Sequence, residues 1–224
     1  MTVDKASEKI EKMFDSIADE YDRNNNIISL GLHSLVKTLA IKELDINNNY
    51  EVLDLCCGTG DIISILIKQN KNLNITGVDF SEEMLKFAKH KLAGQNVNLL
   101  KEDVSSLPFV NSRFNTVTMF FGLRNVENRQ KVINEIYRIL KPEGEFLHMD
   151  FGVKNIFSRF FDSIAITGIK MFYKNKSAYE YLIESKHEFP RPEIIIEEFV
   201  QAGFRLKKKK DFLFGIISMQ MFSK

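Results

Sequence analysis

At 224 residues and a net charge of +1, the chain can hold one α/β domain with additions or two small domains, and it carries no global field to recruit nucleic acid. Its 44% hydrophobic content is enough for a sizeable core. The two cysteines are adjacent, Cys56 and Cys57, which makes them poor disulfide partners and fits a reducing compartment; the charged residues 2–22 do not read as a secretory signal, and no apolar run nears the roughly 18 residues of a membrane span.

The first helix is expected over residues 7–19, with Ile10, Met13, Phe14 and Ile17 on one face and Ser7 as its cap. Residues 21–26 break the pattern and read as a loop. Helical spacing resumes over residues 27–44, interrupted at Gly31, and His33 reads as packing. Residues 1–49 are thus a helical cap ahead of the sheet. Val52, Leu53 and Leu55 suit a strand buried on both faces. Small residues follow, and Ile62, Ile63, Ile65, Leu66 and Ile67 begin a helix. A second strand over residues 73–79 ends in Asp79. Ser81 can cap the next helix, whose first turn carries Glu82 and Glu83 and whose inner stripe holds Met84, Leu85 and Ala88. Further strands are expected over residues 96–100 and 114–121, then a helix over 127–140 closed by Lys141-Pro142-Glu143-Gly144, then a strand over 145–151. Residues 50–151 form the expected cofactor-binding core.

From residue 152 the character changes. Residues 152–202 read as a helical insert, aromatic at Phe157, Phe160, Phe161, Phe172 and Tyr173 and apolar at Ile156, Ile164, Ile169 and Met171. It closes with a helix that Pro190 and Pro192 introduce and Gly203 ends. Residues 203–224 form a strand pair, the whole chain being a single domain. Lys207-Lys208-Lys209-Lys210 is either a solvated strand edge or a contact for anionic lipid.

Strand, glycine turn and helix together make a ligand site. Gly58 and Gly60 allow close backbone approach, and the first helical N–H groups point over the turn. The third glycine of a dinucleotide fingerprint is replaced by Ile63, which disfavours a dinucleotide oxidoreductase. Asp79 lies about 20 residues past the turn, where a carboxylate accepts from ribose hydroxyls. A ribose without a pyrophosphate cradle points to adenosine carrying something other than phosphates, and S-adenosylmethionine fits, its amino-acid end over the turn. The bland alternative is a plain α/β turn with a strand-end acid. Phe80 and Met84 either wall an adenine ring or belong to the core. Asp103 either reaches the adenine amino group or caps the turn that follows it. No metal is expected.

At Asp54-Leu55-Cys56-Cys57-Gly58-Thr59-Gly60-Asp61, and more specifically at Phe121-Gly122-Leu123-Arg124-Asn125-Val126, the sequence resembles the C-methyltransferases of menaquinone and ubiquinone biosynthesis. Met13-Phe14-Asp15-Ser16-Ile17-Ala18 with Tyr21-Asp22, Lys141-Pro142-Glu143-Gly144 and Ala202-Gly203-Phe204 follow that family's order, so the likeness spans residues 7–222. The resemblance implies a class I methyltransferase fold dependent on S-adenosylmethionine: Rossmann-like, a seven-stranded sheet with its last strand antiparallel, an N-terminal helical cap, and a helical insert before the last two strands. It implies S-adenosylhomocysteine as product and methylation of a ring carbon on a prenylated hydroquinone, demethylmenaquinol ahead of 2-methoxy-6-polyprenyl-benzoquinol. Thr59 and Asp79 match the family's cofactor contacts, and Asp103 and Val104 its adenine-side pair. With Asp54, Gly58, Gly60, Phe80 and Met84 they make the expected cofactor site. Arg124, Asn125, Asp61 and Tyr21 match residues near the ring. Val104 stands for a common alanine, Phe120 for a serine that touches cofactor in some members, and Glu143 for a glycine.

A methyl on a sulfonium is already activated, so the task left to the protein is to make a ring carbon nucleophilic. Loss of a hydroxyl proton does so, which requires the quinol and not the quinone. Arg124 can stabilise the phenolate, or else form a salt bridge to Glu127 or Asp61. Asp61 or a water can take the proton. The cap and the aromatic insert either cover the methyl and hold an isoprenoid tail or are ordinary core. Expected partners are the prenylated quinol and the surface of a membrane, without nucleic acid, and a homodimer or a quinone-synthesis complex is compatible with this. The expected location is cytoplasmic, at the inner face of the cytoplasmic membrane. The rival readings are a methyltransferase acting on another phenol or lipid and a non-catalytic cofactor-binding scaffold.

Overall fold

The computed structural model describes residues 7–29, 31–156, 158, 163 and 176–224. The apolar runs form β1 (Glu51–Leu55), β2 (Asn74–Asp79), β3 (Val97–Lys101), β4 (Phe114–Phe120) and β5 (Leu140–Phe151), all parallel. With β6 (Arg205–Phe212) and β7 (Ile217–Ser223) they make a seven-stranded sheet in the order β3-β2-β1-β4-β5-β7-β6. The last strand is antiparallel to both neighbours, as expected. Strand order reverses between β1 and β4, where Leu55 lies beside Val78 on one side and Met119 on the other. A crevice opens past the carboxyl ends of strands at such a reversal.

Helices α1 (Ser7–Asp15), α2 (Tyr21–Ile28) and α3 (Leu32–Ile41) precede the sheet, and α4 (Asp61–Gln69), α5 (Glu82–Lys91) and α6 (Arg129–Ile139) connect its strands. Helices α7 (Lys176–Glu188) and α8 (Pro192–Gln201) lead to the final pair. Ser81 caps α5, its hydroxyl accepting the Met84 N–H at 3.1 Å. The missing third glycine is explained by β2: a Cβ on Gly77 would lie 2.6 Å from Ile63 Cδ1. The sheet supplies the close approach, so the helix keeps its isoleucine.

Three expectations shift. The first helix ends at Asp15, and the polar stretch read as a loop is instead α2; packing of Tyr21 against Phe14 and the cluster around Met84 and bonding of Asp22 to Thr59 and Lys91 override the weak helix propensity of its asparagines. Lys141-Pro142-Glu143-Gly144 does not separate helix from strand but is taken into an irregular start of β5, whose pairing jumps from Leu140–Phe114 to Glu145–Thr116. The Ser7 side chain and the apolar run Phe157, Phe160, Phe161, Ile164, Ile169, Met171, Phe172 and Tyr173 lie outside the described residues.

Both sheet faces are covered. On one, Ile41, Ile63 and Leu66 are fully buried beneath α3 and α4. On the other, Phe146, Phe199 and Phe222 stack, with the Phe199 and Phe222 rings 4.7 Å apart, and Phe204 meets Phe199 and Phe222 edge-on. Lys207 to Lys210 lie on the edge strand, each against an acid: Lys207 on Glu145, Lys208 and Lys210 on Glu43, Lys209 on Glu193. This supports the strand-edge reading over a free basic patch. Truncating the centre of the aromatic stack, Phe199→Ala, is expected to cost about 3–5 kcal/mol, read as a lowered midpoint in urea unfolding.

Candidate active site

A cavity of about 510 Å³ occupies the crevice. The ends of β1, β2 and β4 reach it through Cys56, Asp79 and Phe121, and the cap closes it with Ile10, Phe14 and Tyr21. Two wall residues hold left-handed backbone without being glycine: Cys56 at φ +54 and Phe121 at φ +57. Such strain clusters at functional sites. Gly58, at φ +52, also lines the cavity, and a Cβ there would meet nothing within 4 Å. Any side chain would project from it into the cavity.

Asp79 stitches the turn together. Its Oδ2 accepts the Gly58 N–H at 2.8 Å and its Oδ1 the Ser81 N–H at 3.0 Å. Burial pushes its carboxyl up to about 6, against the pull of these N–H groups. Lone pairs remain for further donors. Asp103 caps its turn, accepting the Ser105 N–H at 2.8 Å and the Ser105 hydroxyl at 2.9 Å, and it also lines the cavity. Val104 and Phe80 line the wall, as does Met84, which is also packed with Ile17, Ala18 and Ala178. Asp54 is off the wall. It is buried in the sheet, accepts the Thr118 hydroxyl at 2.7 Å, and burial pushes it up to about 7.

Thr59, Gly60 and Asp61 are not on the wall either. Gly60, at φ +83, is the N-cap of α4. The Thr59 hydroxyl donates to Asp22 at 2.6 Å and accepts from Lys91 at 3.0 Å. Asp61 meets Lys91 at 2.6 Å, Lys37 at 3.1 Å and the His33 ring at 3.5 Å. His33 therefore faces a carboxylate and is more than packing. Burial alone would raise the Asp61 carboxyl, but the His33 contact and the two lysines outweigh it and hold it well below the usual range. So engaged, Asp61 fastens the cap to the glycine turn and is poorly suited to take a proton.

Arg124 sits in a short 3-10 turn, Leu123–Asn125, just past β4. It is buried, and neither sequence-expected partner is taken. Its Nη1 donates to the Phe121 carbonyl at 2.7 Å and to Asp150 Oδ1 at 3.0 Å. The guanidinium lies 5.7 Å from the Phe121 ring centroid and 5.0 Å from that of Phe151. Asn125 is on the wall and donates to the same Phe121 carbonyl at 3.3 Å. Tyr21, also on the wall, is kept protonated because burial raises its hydroxyl more than Arg124 lowers it. Sequence reading missed Asp150. Its signal was a strand-end Asp-Phe, the pattern already read at Asp79-Phe80.

A family model described as the ubiE/COQ5 methyltransferase family matches residues 1–224. A demethylmenaquinone methyltransferase of Staphylococcus aureus is 34% identical over 222 residues, which is 96% of this chain and 92% of that one. Two solved structures share the fold at low identity. A chain of the complex between the Haloferax volcanii Trm112 methyltransferase activator and a methyltransferase superposes with a TM-score of 0.71 at 16% identity, covering 94% of this chain and 96% of that chain. A methyltransferase of Thermotoga maritima, dependent on S-adenosylmethionine, does so at 0.70 and 18% identity, covering 95% and 99%.

Because the folded Asp54 binds its proton more tightly than the unfolded chain does, its contribution to stability is complete below about pH 4 and is lost as pH rises through about 7. Asp54→Asn removes that dependence. The melting temperature of the variant relative to the parent is expected to climb from about pH 4 to about pH 7 and to level off above that, as read by thermal denaturation across buffers.

Proposed function

The chain belongs to the ubiE/COQ5 methyltransferase family, and from that premise we propose that its acceptor is demethylmenaquinol, methylated at a ring carbon. C-methylation dependent on S-adenosylmethionine, in menaquinone biosynthesis, is the activity supported by the family and by the 34% identical demethylmenaquinone methyltransferase. The supporting observation is the turn after β4, where Arg124 is buried one residue behind a wall formed by Phe121 and Asn125.

The residues fit the donor. Gly58 leaves open space where a side chain would project, Asp79 has lone pairs to spare, and Asn125 Oδ1 is buried without a partner among the described residues. Asp79 would hold the ribose hydroxyls, with Asp103 and Val104 beside the adenine and the turn at Gly58 beneath the amino-acid end. When bound, S-adenosylmethionine supplies a methyl already activated on a sulfonium. The chain's own work is on the acceptor. Tyr21, held protonated, can donate to an acceptor oxygen, and the Arg124 guanidinium favours the phenolate over the phenol. Orienting the reacting atoms is worth up to about 7–11 kcal/mol, which is what a cap bound to the turn by Asp22, Lys37 and Lys91 would secure.

No helix among the described residues is long and apolar enough to cross a membrane. An isoprenoid acceptor resides in one, so docking at the membrane's inner surface is part of this proposal. With Lys207 to Lys210 paired to acids, the acceptor's tail, rather than that run, would provide the contact.

The direct test is turnover on chemically reduced demethylmenaquinol, followed by mass spectrometry of the methylated product. The oxidised quinone is expected to be inert, and turnover on tail-less phenols that matches the quinol would move the assignment to another acceptor. Arg124→Met is expected to lower kcat by about 10²–10³-fold with S-adenosylhomocysteine binding preserved; unchanged turnover would remove Arg124 from the chemistry. Donation from ribose favours the ionised Asp79, so cofactor affinity is expected to rise as pH climbs through about 6. Calorimetry at pH values on both sides reads this, and Asp79→Asn should flatten it.

A further inference from the structure

Asp150 does more than pair with Arg124. It ends β5 at 1% exposure, and its Oδ1 accepts both Arg124 Nη1 at 3.0 Å and the Phe151 N–H at 2.8 Å. Its Oδ2 is buried with no hydrogen-bond partner among the described residues, and so are Arg124 Nε, Asn125 Oδ1 and His148 Nε2. Buried polar atoms left unmatched are costly, most of all on charged groups. Their concentration around one ion pair marks a place where a hydroxyl or a water completes the bonding.

That place adjoins the cavity. Arg124 and Asn125 both bond the carbonyl of Phe121, a wall residue. The charge of Asp150 acts on the Cys56 thiol and that of Arg124 on the Tyr21 hydroxyl, both also on the wall. His148 stands two residues before Asp150 and so on the same face of β5. Its Nδ1 lies 2.6 Å from Gln220 Oε1, and the Gln220 amide donates to Ser218 at 2.8 Å. The proton therefore sits on Nδ1 and leaves Nε2 as an acceptor. Asp150 Oδ2 and His148 Nε2 are thus two buried acceptors, unpartnered among the described residues, on one face of β5.

We propose that Asp150 takes the hydroxyl proton of the acceptor, through one bridging water, so that Arg124 passes from a carboxylate partner to a phenolate partner. This rests on the quinol acceptor proposed above. The acceptor's O–H bond breaks, an O–H bond forms on Asp150 Oδ2, and the electron pair stays on the acceptor oxygen and spreads to the ring carbon. One guanidinium and one anion are present before and after, so the step leaves no buried charge unpaired. Once the ring carbon carries its new methyl, its C–H bond breaks. That proton leaves to water, the electrons restore the aromatic ring, and Asp150 returns its proton to the acceptor oxygen. Asp61, the other candidate, is held by two lysines off the wall. The groups facing Asp150 are Arg124 from the 3-10 turn, Cys56 from the end of β1, His148 on its own strand, and Ser218 opposite it on β7. Lys186 of α7 lies 4.9 Å from the neighbouring Phe151 ring, and Tyr21 of α2 is coupled through Arg124.

The test compares the parent protein with Asp150→Asn on reduced, short-tailed demethylmenaquinol from about pH 6 to about pH 10, a range that spans ionisation of a phenol. Calorimetry with S-adenosylhomocysteine runs alongside to report folding. The variant should bind S-adenosylhomocysteine as the parent does and lose about 100-fold or more in kcat at neutral pH. The deficit should shrink by about tenfold per pH unit as the acceptor ionises without help. Full turnover at neutral pH, or a deficit of the same size at every pH, overturns the proposal. If Asp150→Asn does not bind S-adenosylhomocysteine, Asp150→Ser, which leaves room for a water, is read by the same criteria. A parent protein inactive on the quinol overturns the acceptor assignment and this proposal together, whereas an active parent with an unimpaired variant overturns this proposal alone.

Discussion

The buried pair of Arg124 and Asp150 ties the ends of β4 and β5 together at 3.0 Å, with side chains 5% and 1% exposed. Taking two charges out of water is expensive, and their attraction in a low-dielectric interior repays it only with good geometry and further bonds. Here the further bonds are incomplete: Arg124 Nε and Asp150 Oδ2 lack partners among the described residues. Stability alone would favour two apolar residues in their place. In the mechanism proposed above, a pair kept at this cost beside a cavity serves chemistry, and the left-handed backbone of Phe121, whose carbonyl receives Arg124, is strain in the same place.

Around that pair the molecule divides into two kinds of construction. The sheet and its covering helices are held by apolar burial, with Phe146, Phe199 and Phe222 stacked on one face and Phe204 edge-on to the last two. The cap shares in that burial through Val36, Ala40 and Ile41, and around the site it is also fastened by polar contacts. Asp15 accepts from the Ser81 hydroxyl at 2.5 Å, Asp22 from Thr59 at 2.6 Å, and Asp61 collects Lys37 and Lys91. Such contacts are individually modest and weaken with salt. A rigid apolar scaffold thus carries a cover whose attachment points are the glycine turn and the strand-end loop, the same two segments that would hold the donor.

Much of this was legible in the order of residues. A strand buried on both faces, a glycine turn and an acid at the end of the next strand are local patterns, and Asp79 does bridge Gly58 and Ser81. The Phe121-Gly122-Leu123-Arg124-Asn125-Val126 run pointed to the corner where the structure buries Arg124 beside the cavity. What failed were judgements needing a second segment. Arg124 was offered Glu127 and Asp61, its neighbours in sequence or motif, yet it pairs with an acid 26 residues away. His33 read as packing because Asp61, which it faces at 3.5 Å, lies in another element. The asparagine-rich stretch of α2 read as loop because propensity is local and docking is not.

The sequence by itself determined the strands and most of the helices, and that a glycine turn with an acid beyond it is present, because periodicity and turn chemistry depend on near neighbours alone. Tertiary structure decided which charges meet. The sheet sets β4 beside β5 and turns Asp150 toward Arg124, while α3 and α5 draw Asp61 away from the cavity wall. Pairing over such distances is fixed by strand order and burial, which no short stretch of residues encodes.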